Sequence, residues 1–208
     1  MDTNRIKRFA TEARNILKAG IAAKIMTLGF DKKGNVAEEH RPQLMQGGTL
    51  WNGKLYTEGF YYQWISLFNR VQQKGINEVY EEAAYTWFNR FSALRFMEVN
   101  NYLPSRIRVF TDENGKFKPE ILAEAIHLDL DGLDMEKVYA LKDANDDDAL
   151  FKYLIITQCN ALSGVLLGMF QKIADYTELL FPDNLLRDGS VIEQMVAQIP
   201  EEDWKGQV

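Results

Sequence analysis

Cysteine is almost missing from this chain: Cys159 is the only one in 208 residues. That excludes an intrachain disulfide and suits a reducing, cytoplasmic setting. Cys159 lies among apolar residues and reads as a small core residue. Histidine is equally scarce. His40 and His127 are too few for a histidine-based zinc site, and Cys159 is remote in sequence from both. The five prolines (Pro42, Pro104, Pro119, Pro182, Pro200) are all isolated, so the chain has no Pro-Pro loop. It also lacks a Gly-x-Ser-x-Gly nucleophile elbow and a phosphate-binding Gly-Lys-Thr/Ser loop. No charged-then-apolar leader opens it, because charges recur as far as Lys24. The one long uncharged stretch, 153–170, contains Thr157, Gln158, Asn160, Ser163 and two glycines. It is at the short end for a membrane span and reads as a buried helix pair, so no membrane partner is expected.

Two acidic runs come near a calcium loop and miss it. In His127-x-Asp129-x-Asp131-Gly132 a histidine takes the first ligand position and Val138 the place of the bidentate glutamate. In Asp143-x-Asn145-x-Asp147, Asp148 replaces the turn glycine and Leu154 fills the last position. Both read as helix-start acids and solvated loops.

The chain has enough to make a core. Apolar residues are 46% and charged residues 26%, ordinary for a globular chain of one large or two small domains. The net charge of −6 conceals a gradient. Residues 1–110 hold 16 Lys/Arg against 10 Asp/Glu, and residues 111–208 hold 8 against 20. Such asymmetry marks either a polar partner on one side or two halves that neutralise each other within one fold.

Helical spacing dominates the pattern. Ile6, Phe9, Ala13, Leu17, Ile21, Ile25 and Leu28 predict an amphipathic helix over 3–29, capped by Asp2 or Thr3 and ended by Gly29. Its other face carries Arg5, Lys7, Arg8, Arg14, Lys18 and Lys24. Arg8, Arg14 and Lys18 stand without matching acids, and they are the candidates for contact with a phosphate backbone; the alternative is a solvated face. Residues 31–56 read as irregular, except that Asn52-Gly53 between Leu50-Trp51 and Leu55-Tyr56 predicts a hairpin with a type I′ turn. Its aromatic residues either stack on bases or pack onto the helices. Further helices are expected over 57–74, 77–100, 119–127, 134–143 and 147–162, with a break near Gly164 and Gly168 and more helix to about 180. Ser190-Val191-Ile192-Glu193 is a capping box that starts a last helix through Ile199. Ile107 to Phe110 with the Asn114-Gly115 turn suggests a short strand or second hairpin. The expected fold is mainly α, an irregular multi-helix bundle with one or two small β-hairpins, in a single domain over 1–208.

The block from Ala83 to Pro104, AAYTWFNRFSALRFMEVNNYLP, is apolar nearly all round as a helix, which places it inside a core. It nevertheless holds Arg90, Arg95 and Glu98. Either the two arginines point into a groove and hold phosphate, or they form structural ion pairs with Glu98, Glu81 or a neighbouring helix. This block resembles the "AYTWFNR…ALRFMEVN.YLP" signature near the start of the PglX-type adenine-specific DNA methyltransferases of the BREX phage-exclusion systems. The opening MDTNRIKRFA, the runs QCNAL (158–162) and IADYTELL (173–180), and the closing IPEEDW (199–204) resemble the same family, in the same order.

The resemblance implies a helical N-terminal domain of a longer enzyme. The parent would transfer a methyl group from S-adenosylmethionine to the exocyclic amine of adenine and so mark host DNA, flipping the base to do so. Adenine amino-methyltransferases carry an Asn/Asp-Pro-Pro-Tyr/Phe loop and a glycine-containing cofactor loop after a first strand, and neither is in this sequence. Catalytic, cofactor-binding and metal residues are therefore expected to be none here, with S-adenosylmethionine held elsewhere in the parent. Expected partners are the downstream methyltransferase domain, DNA in a weak or indirect way, and other phage-exclusion proteins. The alternatives are an interaction module without DNA contact, which the acidic second half favours, and a domain of a related restriction–modification enzyme.

Overall fold

The computed structural model describes residues 3–166, 168, 170 and 176–206, and helices make up most of them. Among the described residues the helices are α1 (Thr3–Thr27), α2 (Glu58–Lys74), α3 (Ile76–Val99), α4 (Glu120–Ala123), α5 (Met135–Asp143), α6 (Asp147–Leu162), α7 (Tyr176–Leu179), α8 (Val191–Gln198) and α9 (Glu201–Trp204). They are joined by one antiparallel sheet, in the order β1 (Gln43–Met45), β2 (Gly48–Trp51), β3 (Lys54–Tyr56), and by short 3-10 turns. The fold is mainly α with a small hairpin-type sheet, as the periodicity predicts. The sequence reading treats 1–208 as one domain, whereas the contacts gather into two compact units. The first comprises Met1–Ile16, Trp87–Lys172 and Asp183–Val208, and the second Leu17–Thr86 and Ile173–Pro182. Helices of 25 and 24 residues, α1 and α3, are long enough to supply residues to both.

In the first unit, Phe9 and Ala13 of α1 are buried, as are Trp87, Phe91 and Leu94 of α3. Phe91 meets Phe110 edge-on at 6.1 Å, and Phe110 meets Phe151 of α6 in the same way at 6.4 Å. Phe88, in the same apolar block, is only half-buried. It lies on the flank of the helix, 6.4 Å from the Phe9 ring. α5, α6 and α8 start where side chains satisfy free amides: Asp134 accepts from Glu136 and Lys137, Asp146 from Ala149, and Ser190 from Glu193. Glu193 in turn accepts from the Gly189 amide at 3.0 Å, which completes the predicted box one residue early.

The expected strand or hairpin around Asn114-Gly115 is not formed. Asp112 accepts from the Asn114 and Lys116 amides through one carboxylate oxygen and closes the loop by itself. The helix expected over 119–127 is shorter too, with α4 giving way to a 3-10 turn at Ala125–His127. α9 was not expected. Of the predicted caps of α1, Asp2 lies outside the described residues and Thr3 is already helical. The helix expected up to about 180 falls partly on 167, 169 and 171–175, also outside them; a turn follows α6 at 163–165.

The second unit is built on aromatic rings. Trp64 stacks on Phe68 at 5.7 Å, touches Phe30 at 5.4 Å and donates its indole N–H to the Leu28 carbonyl at 3.0 Å. Gly29, with φ +98, lets the chain leave α1 toward Phe30. The Asn52-Gly53 turn forms with φ +48 and +74, the positive values a type I′ turn needs. Trp51 and Tyr56 face inward onto Phe60 at 5.4 and 4.5 Å, so of the two uses weighed for this hairpin the aromatic face serves packing.

Candidate functional site

The basic face of α1 is only partly available. Arg8 and Arg14 are exposed. Lys18 is not the unmatched cation that the sequence suggests, because α3 sets Glu81 against it in an ion pair. Arg5 is also committed, donating to Asp203 at 2.9 Å. Glu12, between Arg8 and Arg14 in sequence, accepts from Gln198 at 3.0 Å. Of the three predicted phosphate contacts, Arg8 and Arg14 are exposed and Lys18 is paired.

The arginines of the signature block go inward. Arg90 is 7% exposed and lies over the Trp87 ring at 5.3 Å. Its charge also acts on Cys159, whose thiol burial pushes up to about 12 against that pull. Cys159 is thus an inert core thiol at neutral pH. Arg95 is 1% exposed and takes the ion-pair alternative. One of its terminal nitrogens donates to Glu98 at 2.5 Å and to Thr111 at 3.1 Å, and the second terminal nitrogen reaches Glu201 at 3.4 Å. A phosphate cannot reach a guanidinium so enclosed.

The cluster continues beyond α3. Glu98 accepts the Phe110 amide at 2.8 Å and the Thr111 hydroxyl at 3.2 Å. Arg108 donates to Thr111 at 2.9 Å and to Glu201 at 2.5 Å. Arg95, Arg108 and Glu98 close on the buried Thr111 and Glu201 pairs with both arginines, so each charge meets an opposite one, as burial requires. Burial still holds the Glu98 carboxyl above its usual range, although Arg95, the Phe110 amide and Arg108 pull the other way. Glu201 moves in the opposite direction. Burial alone would raise it, but the hydrogen bond and charge of Arg108 outweigh that and lower it. Sequence reasoning found Arg95 and Glu98 and missed Thr111, Arg108 and Glu201. The only available signal was that an Arg-x-x-Glu pair in an apolar helix needs further polar partners.

In the second unit, Arg70 of α2 holds Glu82 of α3 through two nitrogens, and the Tyr176 hydroxyl of α7 donates to the same carboxylate at 2.9 Å. These hydrogen bonds, that from Arg70 first, lower Glu82 below the usual carboxylate range. An open cleft of about 640 Å³ lies beside Gly29, Asp31, Asn35, His40 and Asn52. The Asp31 carboxylate there is occupied by the Lys33 and Asn35 amides and the Asn35 side chain. No group of three or more His, Cys, Asp or Glu suited to a metal ion occurs among the described residues, and no described helix is long and apolar enough to cross a membrane.

No family model matches the chain. Comparison with curated proteins is decisive instead: it is 34% identical over 219 residues to the adenine-specific methyltransferase BrxX of Escherichia coli O9:H4 (strain HS), across 99% of this chain. The chain is homologous to adenine-specific methyltransferases of BREX systems. A second relative, the adenine-specific methyltransferase PglX of Lacticaseibacillus casei (strain Zhang), is 35% identical over 224 residues and 98% of the chain. The matched region is 17% of BrxX and 18% of PglX, so the chain spans less than a fifth of the length of these relatives. The Arg95–Glu98 pair belongs to the block that first suggested this kinship.

Proposed function

We propose that these 208 residues are a non-catalytic helical part of an adenine-specific DNA methyltransferase that marks host DNA in phage defence. The parent enzyme transfers a methyl group from S-adenosylmethionine to the exocyclic amine of adenine. This part braces the methyltransferase core of the same polypeptide, touches the duplex weakly through Arg8 and Arg14, or docks other exclusion proteins in the cytoplasm. The observation that carries the reading is the 34–35% identity, over nearly the whole chain, to less than a fifth of the length of two methyltransferases.

The strand-to-helix connections support a reading in which this part does not itself hold S-adenosylmethionine. Its carriers place a glycine-rich loop between a strand and a helix. Here β3 runs into α2 through Thr57 alone, and β2 and β3 join by the two-residue Asn52-Gly53 turn. No catalytic step is assigned to this part. Calorimetric titration of the 208 residues with S-adenosylmethionine is expected to give no heat of binding; micromolar affinity would overturn the non-catalytic reading. Removing the same residues from the parent enzyme is expected to lower adenine methylation.

A further inference from the structure

Five non-glycine residues among those described have a positive φ: Asn52, Asn101, Arg106, Asn145 and Asn184. Four are asparagine, which tolerates the left-handed region because its short amide bonds locally. Arg106, at φ +60, is the exception. It ends a tight turn in which its amide donates to the Leu103 carbonyl at 3.0 Å. Pro104 takes the second position of that turn and Arg106 the fourth, where glycine is favoured. The turn itself has no use for a long side chain there, and the backbone strain costs about 1 kcal/mol relative to glycine.

The side chain has no use inside the fold either. Arg106 is exposed and makes no ion pair or side-chain hydrogen bond among the described residues. Its neighbours Arg95 and Arg108 are both engaged. Arg106 borders a cavity of about 130 Å³ shared with Asn101, Leu103, Arg108 and Glu98. Glu98 does not oppose an anion strongly there, because its oxygens are taken by Arg95, Thr111 and the Phe110 amide. Tyr102, 59% exposed, and the exposed Asn101 stand in the same loop. Rings and amides of this kind contact sugar and phosphate.

Strain maintained at a surface cation points to a role outside the fold. We propose that Arg106 and the 103–108 turn bind a phosphate of the nucleic-acid backbone, an inference that rests on the chain being part of a DNA methyltransferase. The planar guanidinium matches a phosphate with two parallel hydrogen bonds.

The test is fluorescence anisotropy of a labelled duplex at low and moderate salt, with thermal melting, on the wild type, Arg106→Gly and Arg106→Lys. Arg106→Gly is expected to melt at or above the wild-type temperature, yet to bind on the order of tenfold more weakly. Its salt dependence should be shallower by about one released counterion. Arg106→Lys, which keeps the charge, should retain part of the affinity. Unchanged binding by Arg106→Gly overturns the site, as does a melting temperature several degrees lower, which would give Arg106 to the fold. Displacement of the duplex by poly-glutamate as readily as by unlabelled duplex overturns the phosphate assignment in favour of an acidic polypeptide. Absence of duplex binding by the wild type at low salt overturns the site too. Failure of the non-catalytic reading shows separately, as S-adenosylmethionine binding.

Discussion

At the scale of single residues, the signature block combines tight apolar packing with enclosed charge. Leu94 is fully buried in the first unit, so Leu94→Ala is expected to cost about 2–5 kcal/mol in chemical denaturation. A loss below about 1 kcal/mol would mean that the signature helix is peripheral. The carboxylates respond to pH in opposite senses. Glu82 and Glu201 are lowered in the folded chain, so the stability they add is whole above the usual carboxylate range and is lost as pH falls through their folded values. Glu98 is raised, so its contribution is whole below that range and is lost as pH rises. Thermal melts from about pH 7 to about pH 3 are expected to show stability falling on the acid side, less steeply in Glu82→Gln. Equal slopes in the two proteins would show that the Arg70–Glu82–Tyr176 cluster adds nothing.

At the scale of elements, local chemistry was readable and tertiary chemistry was not. The long helices follow from their apolar spacing, and the Asn52-Gly53 hairpin from two adjacent residues that accept positive φ. The same reading failed at Asn114-Gly115, where Asp112 closes the loop and no partner strand runs alongside. It passed over β1 because Gln43, Leu44 and Met45 are all exposed and show no alternation. The buried cluster was half legible, since Arg95 and Glu98 lie one turn apart while Thr111, Arg108 and Glu201 arrive from distant stretches. Lys18 was misread for the same reason: its acid, Glu81, is 63 residues away. The sheet offers a paired test of how its glycines differ. A Cβ at Gly53 meets open space, so Gly53→Ala should cost only the positive φ, about 1 kcal/mol. A Cβ at Gly48 runs into the Tyr56 carbonyl across the strand pair, so Gly48→Ala should cost distinctly more in the same melting experiment. Equal losses would show that the β2–β3 pairing yields without resistance.

At the scale of the whole molecule, charge limits what the chain does with nucleic acid. A net charge of −6 repels a phosphate backbone, and the exposed cations Arg8 and Arg14 belong to the more basic first half. Duplex binding is therefore expected to be weak, indifferent to sequence and steeply reduced by salt. Anisotropy with two unrelated duplexes checks this, together with an Arg8→Glu, Arg14→Glu variant that leaves the Lys18–Glu81 pair intact. Strong discrimination between the duplexes, or undiminished binding by the variant, would locate the contact elsewhere.

Two of the borders between the compact units, at 16/17 and 86/87, fall inside α1 and α3. A protease needs several residues of extended backbone to cut, and at these points every peptide lies within a continuous helix. Digestion has no linker to find there, and a gene truncated at either border would end a helix in mid-turn, with carbonyls stripped of their donors. Whatever shuffles protein segments in evolution meets the same obstacle.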